Sequence, residues 1–156
     1  MGLIRRGFLC SRARRGVVLH RAMALGSLVW GITAFPAMAM PPLTDQAGDP
    51  ARGFVLLVSS GDDGGNCLVC HVLTDPRIPE GFSGDVGPSL DGVGARMTGA
   101  QIRQQIVNPR LSDPDSLMPA YHVTEGLTNV ATRYQNRPYL TAQEVEDITA
   151  YLETLQ

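Results

Sequence analysis

Asn66-Cys67-Leu68-Val69-Cys70-His71 decides the fold of this 156-residue chain. The spacing is C-x-x-C-H, the attachment pattern of c-type haem. Two thiols three positions apart lie on one helical turn and reach both vinyl groups of a single porphyrin. The adjacent imidazole of His71 then points at the iron. Three other chemistries use part of the pattern. A redox dithiol needs no following histidine and usually sits in a βαβ setting. A zinc site needs two more soft ligands. A disulfide between residues this close would close only a trivial loop. The expected cofactor is one covalent haem c, held through Cys67 and Cys70, with His71 as an iron ligand.

The N-terminal segment agrees with that chemistry, because c-type haem is attached outside the cytoplasm. Arg5, Arg6, Arg12, Arg14, Arg15 and Arg21 precede any acid, and from Ala22 to Thr44 no residue is charged. Ala22 to Phe35 is a largely apolar run, and Ala37-Met38-Ala39 supplies a small-x-small cleavage pattern. Residues 1–39 are therefore read as a signal peptide cut after Ala39, which removes Cys10 and leaves a periplasmic protein. The mature chain of 117 residues then carries seven arginines against 15 acids, a net charge of −8. Besides His71 it offers a zinc ion only His122. The alternative is an uncleaved anchor. A span needs roughly twenty apolar residues, and Pro36, Pro41 and Pro42 interrupt the run, so no stable membrane insertion is expected after cleavage. Arg5-Arg6-Gly7-Phe8-Leu9 also resembles a twin-arginine export signal. Haem attachment needs an unfolded chain with reachable thiols, which favours the general secretory route. A mature chain this acidic, without a single lysine, argues against a nucleic-acid partner.

The length fits one domain. Hydrophobic residues at 44% are ordinary for a globular protein, but aromatics at 6% leave a thin core unless the porphyrin completes it. Residues 40–48, rich in Pro, Gly and polar side chains, read as a flexible leader without structure of its own. Asp49-Pro50 can cap and start a helix that runs to Ser59. Gly61-Asp62-Asp63-Gly64-Gly65 breaks it before the haem motif. Pro76, Pro79, Gly81 and Gly84 make a loop of Asp75 to Asp85. A second helix is expected over Ala100 to Val107, opened by Thr98 or Gly99 and ended by Asn108-Pro109. Residues 110–140 look irregular. Thr141 and Glu144 form a capping box, followed by Val145, Ile148, Leu152 and Leu155 at helical spacing, with Glu144, Glu146, Asp147 and Glu153 off that stripe. No convincing strand or repeat appears. The expected fold is all-α, with residues 49–156 packed around one haem.

The residue on the other face of the iron separates electron transfer from small-molecule binding. Met118, in Leu117-Met118-Pro119-Ala120-Tyr121, follows His71 by 47 residues. That separation lets the chain leave the proximal face, form a helix and return on the distal face. His122 would give a bis-His site instead. Met97 follows too closely, just before the second helix, and Met40 would be a mobile new N-terminus. Met118 is the expected ligand, with His122 as the second candidate and Met97 or an open site behind it. Leu90 is read with Cys67, His71 and Met118 as the wall of an apolar slot for the ring.

With these residues in place, the mature chain resembles a class I cytochrome c. Cys67-x-x-Cys70-His71 is followed by Gly87-Pro88-Ser89-Leu90, Gly92-x-Gly94-x-Arg96 and Met118-Pro119. The resemblance implies that the Pro88 carbonyl accepts a hydrogen bond from His71, fixing its tautomer, and that Arg96 faces a haem propionate. Residues 49–155 more narrowly resemble SoxX, the monohaem subunits of SoxAX complexes of thiosulfate oxidation. Gly64-Gly65-Asn66-Cys67-Leu68, Asp85-Val86-Gly87-Pro88-Ser89-Leu90, Met118-Pro119-Ala120-Tyr121 and Leu140-Thr141-Ala142-Gln143-Glu144-Val145-Glu146-Asp147 carry that likeness.

The narrower resemblance implies a heterodimer with a SoxA-like haem subunit. The dimer would act as an L-cysteine S-thiosulfotransferase on a cysteine of a SoxYZ-like carrier, with a soluble cytochrome c as electron acceptor. This chain would pass electrons and supply no catalytic residue. A free-standing electron carrier, or a haem sensor or peroxidase with an open distal face, are the competing readings.

Overall fold

Asp49 caps the first helix by accepting the Ala51 and Arg52 N–H groups on its side chain, and Pro50 opens the first turn. In this computed structural model, which describes residues 40–60 and 64–156, that helix is α1 (Pro50–Val58). The expected signal peptide, its cleavage point and Cys10 lie outside the described residues. Three further helices follow: α2 (Val93–Arg96), α3 (Gly99–Val107) and α4 (Ala142–Glu153), with 3-10 turns at Cys67–Val69, Pro109–Leu111 and Thr132–Tyr134. No strand occurs among the described residues, so the chain is all-α as expected. The capping box of α4 forms between Thr141 and Glu144, and α3 has a second one between Thr98 and Gln101. The short α2 was not anticipated. Its four residues carry two small side chains and no apolar period long enough to read.

All three earlier helices rest on α4. Leu57, Val145 and Ile148 are sealed at the centre, joined by Leu68, Ile102, Ile106 and Leu152. Each such side chain contributes about 1.5–3 kcal/mol on burial. Gly53 marks the crossing of α1 and α4. A Cβ there would fall 1.9 Å from the Asp147 carbonyl oxygen, a distance no real side chain tolerates. Glycine is what lets the two backbones touch.

Two expectations change here. Residues 40–48 form no helix or turn of regular structure, yet they are not loose. Leu43 N–H donates to Glu146 Oε1 at 2.8 Å, Thr44 Oγ1 to Gln143 Oε1 at 2.8 Å, and the Met40 carbonyl accepts from Arg103 Nη1 at 2.9 Å. Met40 and Leu43 pack against the core, so Met40 is anchored and the segment is a strap along α4. The strap and α1 in turn bury the face of α4 expected to face solvent. Glu146 is 6% exposed and Asp147 not at all. Glu146 is held by a bidentate pair with Arg103, both bonds at 2.7 Å. Asp147 accepts the Asp49 N–H at 2.8 Å and pairs with Arg52.

Candidate haem site

The carboxyl end of α1 delivers the chain to the cysteine motif. Leu56 and Ser59 carbonyls accept the Gly65 and Asn66 N–H groups at 2.7 and 3.1 Å. Asn66 takes the left-handed conformation, φ 52°, which asparagine tolerates better than most residues. The chain then tightens into the 3-10 turn, and both Cys70 N–H and His71 N–H return to the Cys67 carbonyl at 3.1 and 3.0 Å. Leu68 points into the core while Val69 is 62% exposed. Cys67 and Cys70 are free thiols on this single turn. Burial pushes the Cys67 thiol up to about 12, so within the folded domain it is an inert thiol rather than a thiolate.

His71 is held from one side. Its Nδ1 lies 2.7 Å from the Pro88 carbonyl oxygen. A carbonyl only accepts, so Nδ1 carries the proton and Nε2 keeps its lone pair for a metal. Segment 84–90 is laced along the motif: Gly84 N–H to Leu68 O at 2.7 Å, Gly87 N–H to Cys70 O at 2.7 Å, and Leu90 N–H to Val72 O at 2.9 Å. Gly87 passes against the imidazole itself. A Cβ there would sit 2.5 Å from His71 Cε1 and 2.7 Å from Nδ1. This contact was invisible in the sequence, where Gly87 read only as part of a motif. Thr74 adds a further lace, donating its N–H and hydroxyl to the Asp91 carboxylate at 2.7 and 2.9 Å, and the Thr74 N–H above all keeps that carboxyl below its ordinary range.

Arg96, which the resemblance expects to face a haem propionate, braces the loop beside the cysteine turn. Its guanidinium donates to the backbone carbonyls of Asp91 at 2.5 Å and Ser89 at 2.7 Å. It clamps the loop that carries Pro88 and Leu90. Of the four side chains expected to wall a slot, two are placed by their packing. Cys67 and Leu90 pack onto the hydrophobic core. Two clefts lie elsewhere, one of about 380 Å³ beside Arg96 and Glu153, the other of about 160 Å³ between Phe54, Leu68 and Phe82.

The methionines separate by environment. Met40 and Met97 are packed against the core. Met118 is half-buried in an irregular loop, its N–H on Ser116 Oγ at 3.3 Å, next to a Leu117 that is 85% exposed. Three residues on, Tyr121 returns toward the cysteines. Burial above all raises its phenol pKa. His122 donates Nδ1 to the Leu140 carbonyl at 2.8 Å.

The family profile of cytochrome c matches residues 61–156. The chain belongs to the cytochrome c family. Among solved structures it is similar to the crystal structure of SoxXA from P. pantotrophus, with 31% identity and a TM-score of 0.64 over 74% of this chain and 87% of that one. No curated protein matches it. It is a SoxX-like monohaem cytochrome with a class I fold, and membership of the family implies covalent haem c and electron transfer. The residues of this cytochrome c fit that group. Two unpaired thiols share one turn, and the imidazole that follows is locked in the tautomer a metal requires. Among the described residues no three His, Cys, Asp or Glu side chains converge on a site for a bare metal ion, and no helix is long and apolar enough to cross a membrane.

Proposed function

We propose that this cytochrome c is the monohaem subunit of a SoxAX-like L-cysteine S-thiosulfotransferase in the periplasm, exported by the signal peptide of residues 1–39. The complex would join thiosulfate to a cysteine of a SoxYZ-like carrier protein, and electrons released in that oxidation would leave through this chain to a soluble cytochrome c. The observation that carries the reading is the Cys67–His71 turn with His71 Nδ1 locked on Pro88, on a chain 31% identical to SoxXA.

Bound haem c supplies a one-electron iron couple. The remaining chemistry belongs to the chain. Cys67 and Cys70 tether the ring as thioethers, and a thioether has no thiolate form, so neither cysteine serves as a nucleophile for sulfur. His71 would hold the group through Nε2, its basicity raised and its plane fixed by the Pro88 carbonyl. Met118 would supply a soft thioether, which favours reduced iron. Leu90 would exclude water from the ring, and Arg96 holds the Leu90 loop in place. No catalytic residue lies in this chain, so the partner must bring the reactive sulfur site.

Co-expression with a SoxA-like subunit tests the proposal. A stable heterodimer that loads thiosulfate onto carrier protein, and loses turnover when Cys67→Ala/Cys70→Ala replaces the wild type without loss of assembly, is the expected result. A monomer that ignores the partner and only exchanges electrons with small cytochromes would make it a free-standing carrier.

A further inference from the structure

The loop bearing Met118 has no regular structure, and its ligand role depends on what pins it. On the far side of Met118 the chain docks at one point. Tyr121 N–H donates to Ile106 O at 3.1 Å and His122 N–H to Val107 O at 3.3 Å. These carbonyls belong to the last turn of α3 and have no partner inside that helix. Leu140, buried immediately before the N-cap of α4, is gripped at both ends: its N–H donates to Tyr121 O at 2.9 Å, and its carbonyl accepts from His122 Nδ1 at 2.8 Å. The end of α3, the return of the Met118 loop and the start of α4 therefore meet in one clamp. His122 supplies its one side-chain bond.

We propose that His122 is a positioning residue for Met118: by donating Nδ1–H to Leu140 O it locks the 121–122 return between α3 and α4 and so holds the methionine sulfur on the iron. The inference rests on Met118 being the axial ligand. The same bond leaves His122 Nε2 with its lone pair, as at His71, so ligation by His122 is among the outcomes of the test. The donor Nδ1–H is needed, while the imidazole's metal-binding capacity is not. An asparagine side chain places an N–H donor close to the position of Nδ1, and a phenylalanine keeps the volume without any donor.

The test uses holo-protein with His122→Phe and His122→Asn, titrated in the ferric state with imidazole, which competes with Met118 for the iron. The sulfur-to-iron charge-transfer band and amide hydrogen exchange at Tyr121 and Leu140 are followed together. With His122→Phe, imidazole should displace Met118 at roughly five- to tenfold lower concentration, the loss expected for one hydrogen bond, and exchange at Leu140 should accelerate. His122→Asn should fall within about threefold of wild type on both readouts. Wild-type imidazole affinity and exchange in His122→Phe would overturn the inference. So would a wild-type spectrum that lacks the band and changes in both His122→Phe and His122→Asn, the mark of an imidazole ligand that asparagine cannot replace. Met118→Ala separates the underlying reading: if the wild-type band survives that change, Met118 is not the ligand and the positioning role falls with it, whereas a band that Met118→Ala removes and His122→Phe leaves untouched overturns the clamp alone.

Discussion

His71 is fixed by two backbone contacts, and both are open to test. Gly87→Ala would place a methyl group within 3 Å of the imidazole. The ring must rotate off the Pro88 carbonyl, and disturbing an outer partner of a metal ligand typically costs 10- to 100-fold in affinity. The expected outcome is a holo-protein whose iron exchanges His71 for added imidazole at least about tenfold more easily, read by absorbance titration. The haem-free folded chain gives a second test. With its thiol near 12, Cys67 is thiolate in only about one molecule in ten thousand at pH 8. Iodoacetamide should spare Cys67 until urea is added, as peptide mass spectrometry will read; equal labelling with and without urea would contradict the burial. The tethering residues were legible because their chemistry imposes a spacing. Pro88 followed from resemblance, and its contact is present at 2.7 Å. The backbone bonds of Arg96 were not legible. A guanidinium satisfies a propionate or two carbonyls equally well, and the sequence around it does not distinguish them.

Among the elements, α1 and α4 were readable from Asp49-Pro50 and from Thr141 with Glu144, since caps are local chemistry. What covers the second face of α4 was not, because Glu146 and Asp147 look like solvent residues until the strap and α1 cross over them. Gly53→Ala, at that crossing, should destabilise the domain by about 1–3 kcal/mol through overpacking, seen as a lower urea midpoint with an unchanged slope. Glu146 offers a sharper test with a defined sign. Burial pushes its pKa up, but the Arg103 side chain and the Leu43 N–H outweigh burial and leave it lowered. A folded value below the unfolded one means that this carboxylate stabilises the fold above the unfolded pKa, roughly 4.3. That contribution fades as the pH falls through the folded value. Arg103→Met removes the partner and leaves a buried charge, a loss of about 3–5 kcal/mol at pH 7. In that variant burial is opposed only by the Leu43 N–H and the pKa rises, so the sign reverses. The gap to wild type should narrow between pH 7 and pH 5. Urea midpoints at the two pH values check this, and a gap that widens on acidification would contradict the assignment.

At the scale of the whole molecule, every other helix among the described residues leans on α4, the most C-terminal of them. Its partner at the closest crossing is α1, the first helix of the domain, so the pairing that seals the core joins two distant stretches of chain. Such pairings form late, because a long loop must close before any contact rewards it. The dependence becomes a matter of timing. Until residues 142–153 emerge, Leu57 has no Val145 or Ile148 to cover it, and the cysteine turn hangs from an unfinished scaffold. During that interval both thiols lie open to an attachment enzyme. Once α4 seats, Cys67 is half-buried against the core and its thiol resists ionisation. A chain shortened before Ala142 should accordingly remain a willing acceptor of haem for as long as it survives proteolysis, while a chain folded first without haem should refuse it.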